Sequence, residues 1–430
     1  MPRLRGPAHR ALRVRHQATA RRRGRAVSRV QPADSGHLVL AVFLLLQTGS
    51  AATPGPGPGV GLPRSAAFDA AAFDPLVLDG IRQGGYPGAA LVIGRRDTIL
   101  FAKGYGHLTW SSLSPAVTVD STLYDLASLT KVIATTPALM ILVERGTVRL
   151  DAPVATYIRE LDGTGAAGVT VHQLLAHISG LRADIPDHEL KALPDSAAVM
   201  RRVLSETPRV PPGTRVIYSD LNAILLGEVV RRAAGEPLDR FAAREVFAPL
   251  DLRETLFRPP ARLRSRIAPT GVWHGHPVAG VVNDGSAFKL RGVSGNAGLF
   301  ATAADVARFA QFMLSGGARP NGRRLVRAET VRLFTSKAAD FGHGTEARAL
   351  GWQAVPTGEK ESSAGTRFGP RSYGHTGWTG TSLWIDPDRD LFVVLLTNRA
   401  YAPRARRPFT VLKTVRGRLA DAAAQASDAR

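Results

Sequence analysis

Tyr124-Asp125-Leu126-Ala127-Ser128-Leu129-Thr130-Lys131 leads into an apolar run, Val132 to Val143, that ends at Glu144-Arg145-Gly146. The run reads as a buried helix. Pro137 removes one backbone donor from it and marks a kink or a restart. Ser128 and Lys131 are three residues apart, so on a helix they share one face and an amine lies within reach of a hydroxyl. A serine hydroxyl is a weak nucleophile until a neighbouring base takes its proton. A lysine is that base only where its pKa is lowered, by burial or by a second cation; at ~10.4, roughly one lysine in 2500 is neutral at pH 7. The free N–H groups of a helix start add donors for a developing oxyanion. The stretch therefore holds the parts of a serine acyl-transfer centre.

Taken alone, the pair is weak evidence. Ser128 reads first as an N-cap and Lys131 as a solvated helix lysine. A second Ser-x-x-Lys pair, Ser286 and Lys289, lies between Gly285 and Gly292 with no long helical run after it, and reads as a loop decoy. What distinguishes the first pair lies further along the chain.

Outward from that stretch the chain divides by composition. It has 430 residues, a formal net charge of +21 and no cysteine, which excludes disulfides and Cys-ligated metals. Residues 1–33 carry ten Arg and no acid. The apolar run Leu38 to Leu46 and small residues to Ala52 follow, and together these describe a basic leader with a secretory signal peptide over 1–52. Nine apolar residues are too few for a bilayer, which needs ~20. A Pro/Gly linker occupies 53–66, a globular domain 67–416, and an Ala-rich tail expected to fray 417–430. The basic excess of the domain is scattered and comes with no nucleic-acid module, so no nucleic-acid partner is expected.

Within the domain, Ala89 to Ile93 and Thr98 to Ala102 read as two strands around a turn. Leu383 to Ile385, a turn at 386–390 and Leu391 to Leu396 read as a hairpin. The middle of the chain is helix and loop. The expected class is α+β: an antiparallel sheet flanked by helices, with an all-helical lobe beside it. Tyr218-Ser219-Asp220 heads a helical run, Leu221 to Ala234; Ser219 or Asp220 caps it in the plainest reading, with Tyr218 a core aromatic. His375-Thr376-Gly377 precedes the hairpin. The Gly-rich stretch 283–300 lacks a Gly-Lys-Ser/Thr ending and Rossmann spacing. His172/His177 and His274/His276 have no carboxylate at a supporting spacing and read as surface or packing histidines. Neither metal nor organic cofactor is expected.

Three motifs thus stand in order: Ser128-x-x-Lys131, Tyr218-Ser219-Asp220 and His375-Thr376-Gly377. With the blocks around them (YDLASLTKVIAT, LLAHISGL, YSDLNAILLGEVV, GVSGNAGLFATAADVARFA and HTGWTGTSLWIDPDRDLFVVLLTNR), the chain resembles the serine β-lactamase and penicillin-binding protein superfamily over about residues 67–413. In particular it resembles the class C-like branch that includes D,D-carboxypeptidases, esterases and D-amino-acid peptidases. The resemblance implies that Ser128 is acylated, that Lys131 and Tyr218 share general-base work, and that the N–H groups of Ser128 and Trp378 form the oxyanion hole. It places His375, Thr376 and Gly377 along the substrate, with Asp220 and Asn222 beside it.

Two positions depart from the pattern. Asp220 stands where many members have Asn, and an acid there raises the pKa of Lys131. His375 stands where penicillin-interactive enzymes mostly have Lys, and a neutral imidazole holds a substrate carboxylate less well than an ammonium does. The implied activity is that of an exported serine hydrolase acting through an acyl-enzyme on a small peptide or ester of the bacterial cell envelope, including peptidoglycan stem peptides. Its place is the periplasm or the extracellular space, with the leader cleaved or kept as an anchor. The competing expectations are a non-catalytic relative that binds or senses envelope peptides, and a weak β-lactamase. An α/β-hydrolase is excluded, because no G-x-S-x-G elbow is present.

Overall fold

A computed structural model describes residues 68–342, 346–355 and 362–429. The leader, signal peptide and linker expected over 1–66 lie outside the described residues.

Six strands form one antiparallel sheet: β1 (Gly88–Gly94), β2 (Ile99–Gly106), β3 (Gln353–Ala354), β4 (Tyr373–Thr376), β5 (Ser382–Asp386) and β6 (Leu391–Thr397). Their spatial order is β2-β1-β6-β5-β4-β3, so the last strands of the chain join the first two through β1 and β6. This is the sheet that the sequence led us to expect. Every residue of β1 and β6 is buried. In a strand, successive side chains point to opposite faces. Ala90 and Val92 accordingly join Phe392, Val394 and Leu396 in the larger core, while Ala89, Leu91 and Ile93 join Leu391, Val393 and Leu395 in a second core on the other face.

The second core is closed by the helix Asp74–Arg82 and the long C-terminal helix Pro408–Asp428. The expected fraying tail is thereby corrected. Leu419, Ala420, Ala423 and Ala424 are buried in one continuous helix, and their alanines read as tail composition only because the sheet they cover is not visible in the local sequence. On the opposite face lie the helix Ala303–Leu314 and the mid-chain helical lobe, which includes Asp220–Ala234.

The apolar run after Ser128 is buried from Val132 to Leu142, as its composition requires. Lys131–Thr135 is wound as a π-helix, and an α-helix restarts at Thr136–Glu144 with Pro137 in its first turn, where the missing donor costs nothing. Such π-segments recur at functional sites. Among the described residues no helix is long and apolar enough to cross a membrane.

Candidate active site

The nucleophile stretch is held by its own polar groups. Ala127, a non-glycine residue, sits in the left-handed region at φ 47°, a conformation that persists only where the surroundings impose it. The Asp125 carboxylate supplies the constraint, accepting from Ala127 N at 2.9 Å and from Asn283 N at 2.7 Å. Burial pushes the Asp125 carboxyl up to about 6, against these two hydrogen bonds. From the other side, Thr379 Oγ1 donates to Asp125 O at 2.7 Å and Thr381 Oγ1 to Leu126 O at 2.9 Å. These bonds tie the turn between β4 and β5 to the segment that presents Ser128. Gly377 belongs to this junction: a Cβ there would collide with Thr381 Oγ1 and Leu126 O.

Lys131 Nζ lies 2.9 Å from Ser128 Oγ, 3.1 Å from Asn296 O and 2.6 Å from Asp220 Oδ1. Tyr218 O–H donates to the same Ser128 Oγ at 3.0 Å. Burial alone drives the Lys131 ammonium down, but the Asp220 carboxylate and Tyr218 outweigh it and hold the amine above its ordinary value. The acid expected to oppose a lysine base is therefore in contact with it. Burial also raises the Tyr218 phenol, with Lys131 pulling the other way. The Tyr218 ring is enclosed by Lys131 Nζ and Arg348 Cζ, 5.0 and 4.9 Å from its centroid, and by the His177 ring at 4.8 Å.

Ser219 is the helix cap, with its Oγ accepting from Asn222 N at 3.3 Å, and this leaves Asp220 free for Lys131. Asn222 does not reach the site. It is fully buried and accepts at Oδ1 from Ser179 Oγ at 2.6 Å, because residues two apart on a helix face different ways. His177, with Nδ1 accepting from Ser219 N at 3.1 Å, is a packing histidine behind Tyr218.

Ser128, Tyr218, Asp220, His375, Thr376, Gly377 and Trp378 line one cavity of about 740 Å³. Neither Ser128 N–H nor Trp378 N–H donates to any described residue, and such free donors are what an oxyanion needs. His375 and Thr376 lie past the end of the β3 pairing, which stops at Gly374, so this part of β4 presents an open edge although β3 is the outermost strand. Sequence reading missed Asp184, Asp284, Glu346, Arg348 and Phe409, which also line the cavity. Arg348 sits five residues before β3 with no motif around it, and Phe409 is in the first turn of the C-terminal helix, outside any motif. Ser286, the second candidate, is in a short helix rather than a loop; it is buried, with Oγ 3.4 Å from Asp184 Oδ1, and its Lys289 is bound to Leu193 O at 2.7 Å.

The Beta-lactamase family model matches residues 70–416. The chain belongs to the β-lactamase family. This β-lactamase family member is 34% identical over 357 residues to a protein of Escherichia coli O157:H7 named "Putative D-alanyl-D-alanine carboxypeptidase", covering 75% of this chain and 80% of that one. A protein of the same name from Salmonella agona is 31% identical over 408 residues, 86% and 92% of the two chains. Among solved structures, EstCE1, described as a hydrolase with promiscuous acyltransferase activity, superposes with a TM-score of 0.66 at 21% identity over 83% of this chain and 98% of its own. A penicillin-binding protein homologue from Caulobacter crescentus gives 0.65 at 20% identity, over 83% and 99%. The expected α+β fold and the expected family hold, and the chain is a serine hydrolase.

Proposed function

We propose that this hydrolase is exported and works through an acyl-enzyme on Ser128, cleaving small peptides or esters of the cell envelope in the manner of a D,D-carboxypeptidase. One observation carries the reading: Lys131 Nζ and Tyr218 O–H converge on Ser128 Oγ at 2.9 and 3.0 Å. The relatives named as carboxypeptidases support the substrate class.

The proton path follows from the ion pair. The reactive form is the one in which Lys131, 2.6 Å from Asp220, has lost its proton to water. The neutral amine then takes the Ser128 hydroxyl proton as Oγ adds to the substrate carbonyl. The developing oxyanion is received by the N–H groups of Ser128 and Trp378, donors of a kind worth roughly 3–4 kcal/mol each. Tyr218, neutral and hydrogen-bonded to Oγ, hands a proton to the leaving group and is refilled from Lys131. Water then reverses the sequence on the acyl-enzyme.

An esterase reading has its own support in His375. Burial, then Arg348 and Lys131, drive its protonation well below the ordinary range, so it offers no charge to a terminal carboxylate. Labelling with a fluorescent fluorophosphonate and a fluorescent penicillin, each mapped by mass spectrometry, tests both readings. Both probes on Ser128 fit the peptidase, and fluorophosphonate alone fits the esterase. Labelling by neither would refute the acyl-enzyme and leave the non-catalytic reading.

A further inference from the structure

The chain is strongly basic, yet the cavity beside Ser128 is acidic. Asp184, Asp187, Asp220, Asp284 and Glu346 line it, against one guanidinium, Arg348. Asp220 is paired with Lys131 and Glu346 with Arg348. Asp184, Asp187 and Asp284 form no salt bridge among the described residues. Asp184 accepts from Ile185 N at 2.7 Å and Ser286 Oγ at 3.4 Å, and Asp284 from Ala287 N at 2.7 Å and Asn296 Nδ2 at 3.2 Å. Burial, with Asp220 adding repulsion, pushes Asp184 up to about 6 and raises Asp284. Asp184 and Asp187 are exposed on the cavity wall and Asp284 is half-buried, so a charged group of a ligand can reach them. A cavity lined by one sign of charge attracts the opposite sign, and an ammonium group of a substrate is a cation this wall suits.

His375 points the same way independently. It lines the same cavity and is 4% exposed. Its Nδ1 lies 2.8 Å from Thr376 O. A carbonyl only accepts, so the neutral ring carries its hydrogen on Nδ1 and a lone pair on Nε2. That Nε2 has no partner. A substrate carboxylate would meet a lone pair and three acids that form no salt bridge; a cationic N–H donor suits both.

Resting on the acyl-enzyme reading, we propose that this cavity selects acyl donors bearing an ammonium group toward Asp184, Asp284 and His375, and disfavours donors with a carboxylate there. An envelope peptide with a basic residue beside the scissile bond meets this requirement. Trp378 and Phe409, exposed at the same cavity with ring centroids 5.5 Å apart, supply an apolar rim for the remainder of the substrate.

Three p-nitrophenyl esters of matched length test this: 6-aminohexanoate, hexanoate and hydrogen adipate, turned over near neutral pH at low salt, with Ser128→Ala as the blank. The expected order of kcat/KM is cationic, neutral, anionic, spanning about tenfold, the ratio that ~1.4 kcal/mol represents. Asp184→Asn should shrink the cationic-to-anionic ratio toward one. Raising the salt should shrink it in the unaltered protein too, a measurement that needs no variant to fold. Ser128-dependent turnover with a ratio at or below one, or a ratio unmoved by both Asp184→Asn and salt, would overturn the proposal while leaving the acyl-enzyme intact. Absence of Ser128-dependent turnover of all three esters would remove the acyl-enzyme reading and this inference with it.

Discussion

Replacing Asp220 by Asn removes one charge from a buried ion pair while preserving its shape. The Lys131 and Asp220 side chains are 4% and 18% exposed and 2.6 Å apart. A unit charge about 4 Å from another, at an effective dielectric of about 20, is worth roughly 4 kcal/mol. At 1.36 kcal/mol per pKa unit that is about three units, and an opposite charge at such range commonly moves a group by ~1–3. In Asp220→Asn the burial that opposes the charged amine is no longer outweighed, so Lys131 loses its proton at lower pH. The acidic limb of kcat/KM, which reports the free enzyme, should therefore move down by about 1–3 pH units. The assay is p-nitrophenyl ester turnover across the pH range, with circular dichroism to confirm folding. An acidic limb that stays in place, or moves up, would refute the assignment of Lys131 as the group whose deprotonation opens the reaction.

Tyr218→Phe keeps a ring packed between Lys131 and Arg348 but deletes the hydroxyl on Ser128; kcat should fall by about 10²–10⁴ with little change in melting temperature. Gly377→Ala forces a Cβ into Thr381 Oγ1 and Leu126 O, so it should lower both thermal stability and acylation rate, whereas Ser286→Ala should leave acylation nearly unaltered in the same labelling assay. The Asp184 carboxyl is raised by burial and by Asp220 from 3.8 to about 6. The folded protein then binds that proton more tightly than the unfolded chain, so the stability it contributes is full below pH 3.8 and is lost as pH rises through about 6. Relative to the unaltered protein, Asp184→Asn should gain denaturant midpoint between acidic and neutral pH; a gap that does not change with pH would contradict this.

The sequence disclosed those parts of the site that are local. Ser128 and Lys131 are one helical turn apart, and Pro137 marks the helix restart found there. Tyr218 stands directly before the serine that caps its helix, and the hairpin after His375 follows from alternating apolar residues around a turn. What escaped depends on distant packing. Asp184, Asp284 and Arg348 reach the cavity from three loops without a pattern, and only the fold brings their charges together at one wall. Asn222 was misplaced because its nearness to Asp220 in sequence says nothing about the face of the helix it occupies. The part of the C-terminal helix from residue 417 on was taken for a tail because small residues look undemanding until the sheet beneath them, with Leu91 and Val393, is known. Asp220 was correctly read as a neighbour of Lys131, but whether it hinders or serves the lysine depends on a 2.6 Å contact that sequence does not contain.

The central claim is that Ser128 becomes acylated. Its most direct test is to mix the folded protein with a slowly deacylating p-nitrophenyl ester, quench during the first turnover, and map the added mass by peptide mass spectrometry. The account predicts a burst of about one nitrophenolate per protein, with the acyl group on the peptide containing Ser128 and no adduct in Ser128→Ala. Turnover without a covalent intermediate, or an adduct on Ser286 or another residue, would contradict it.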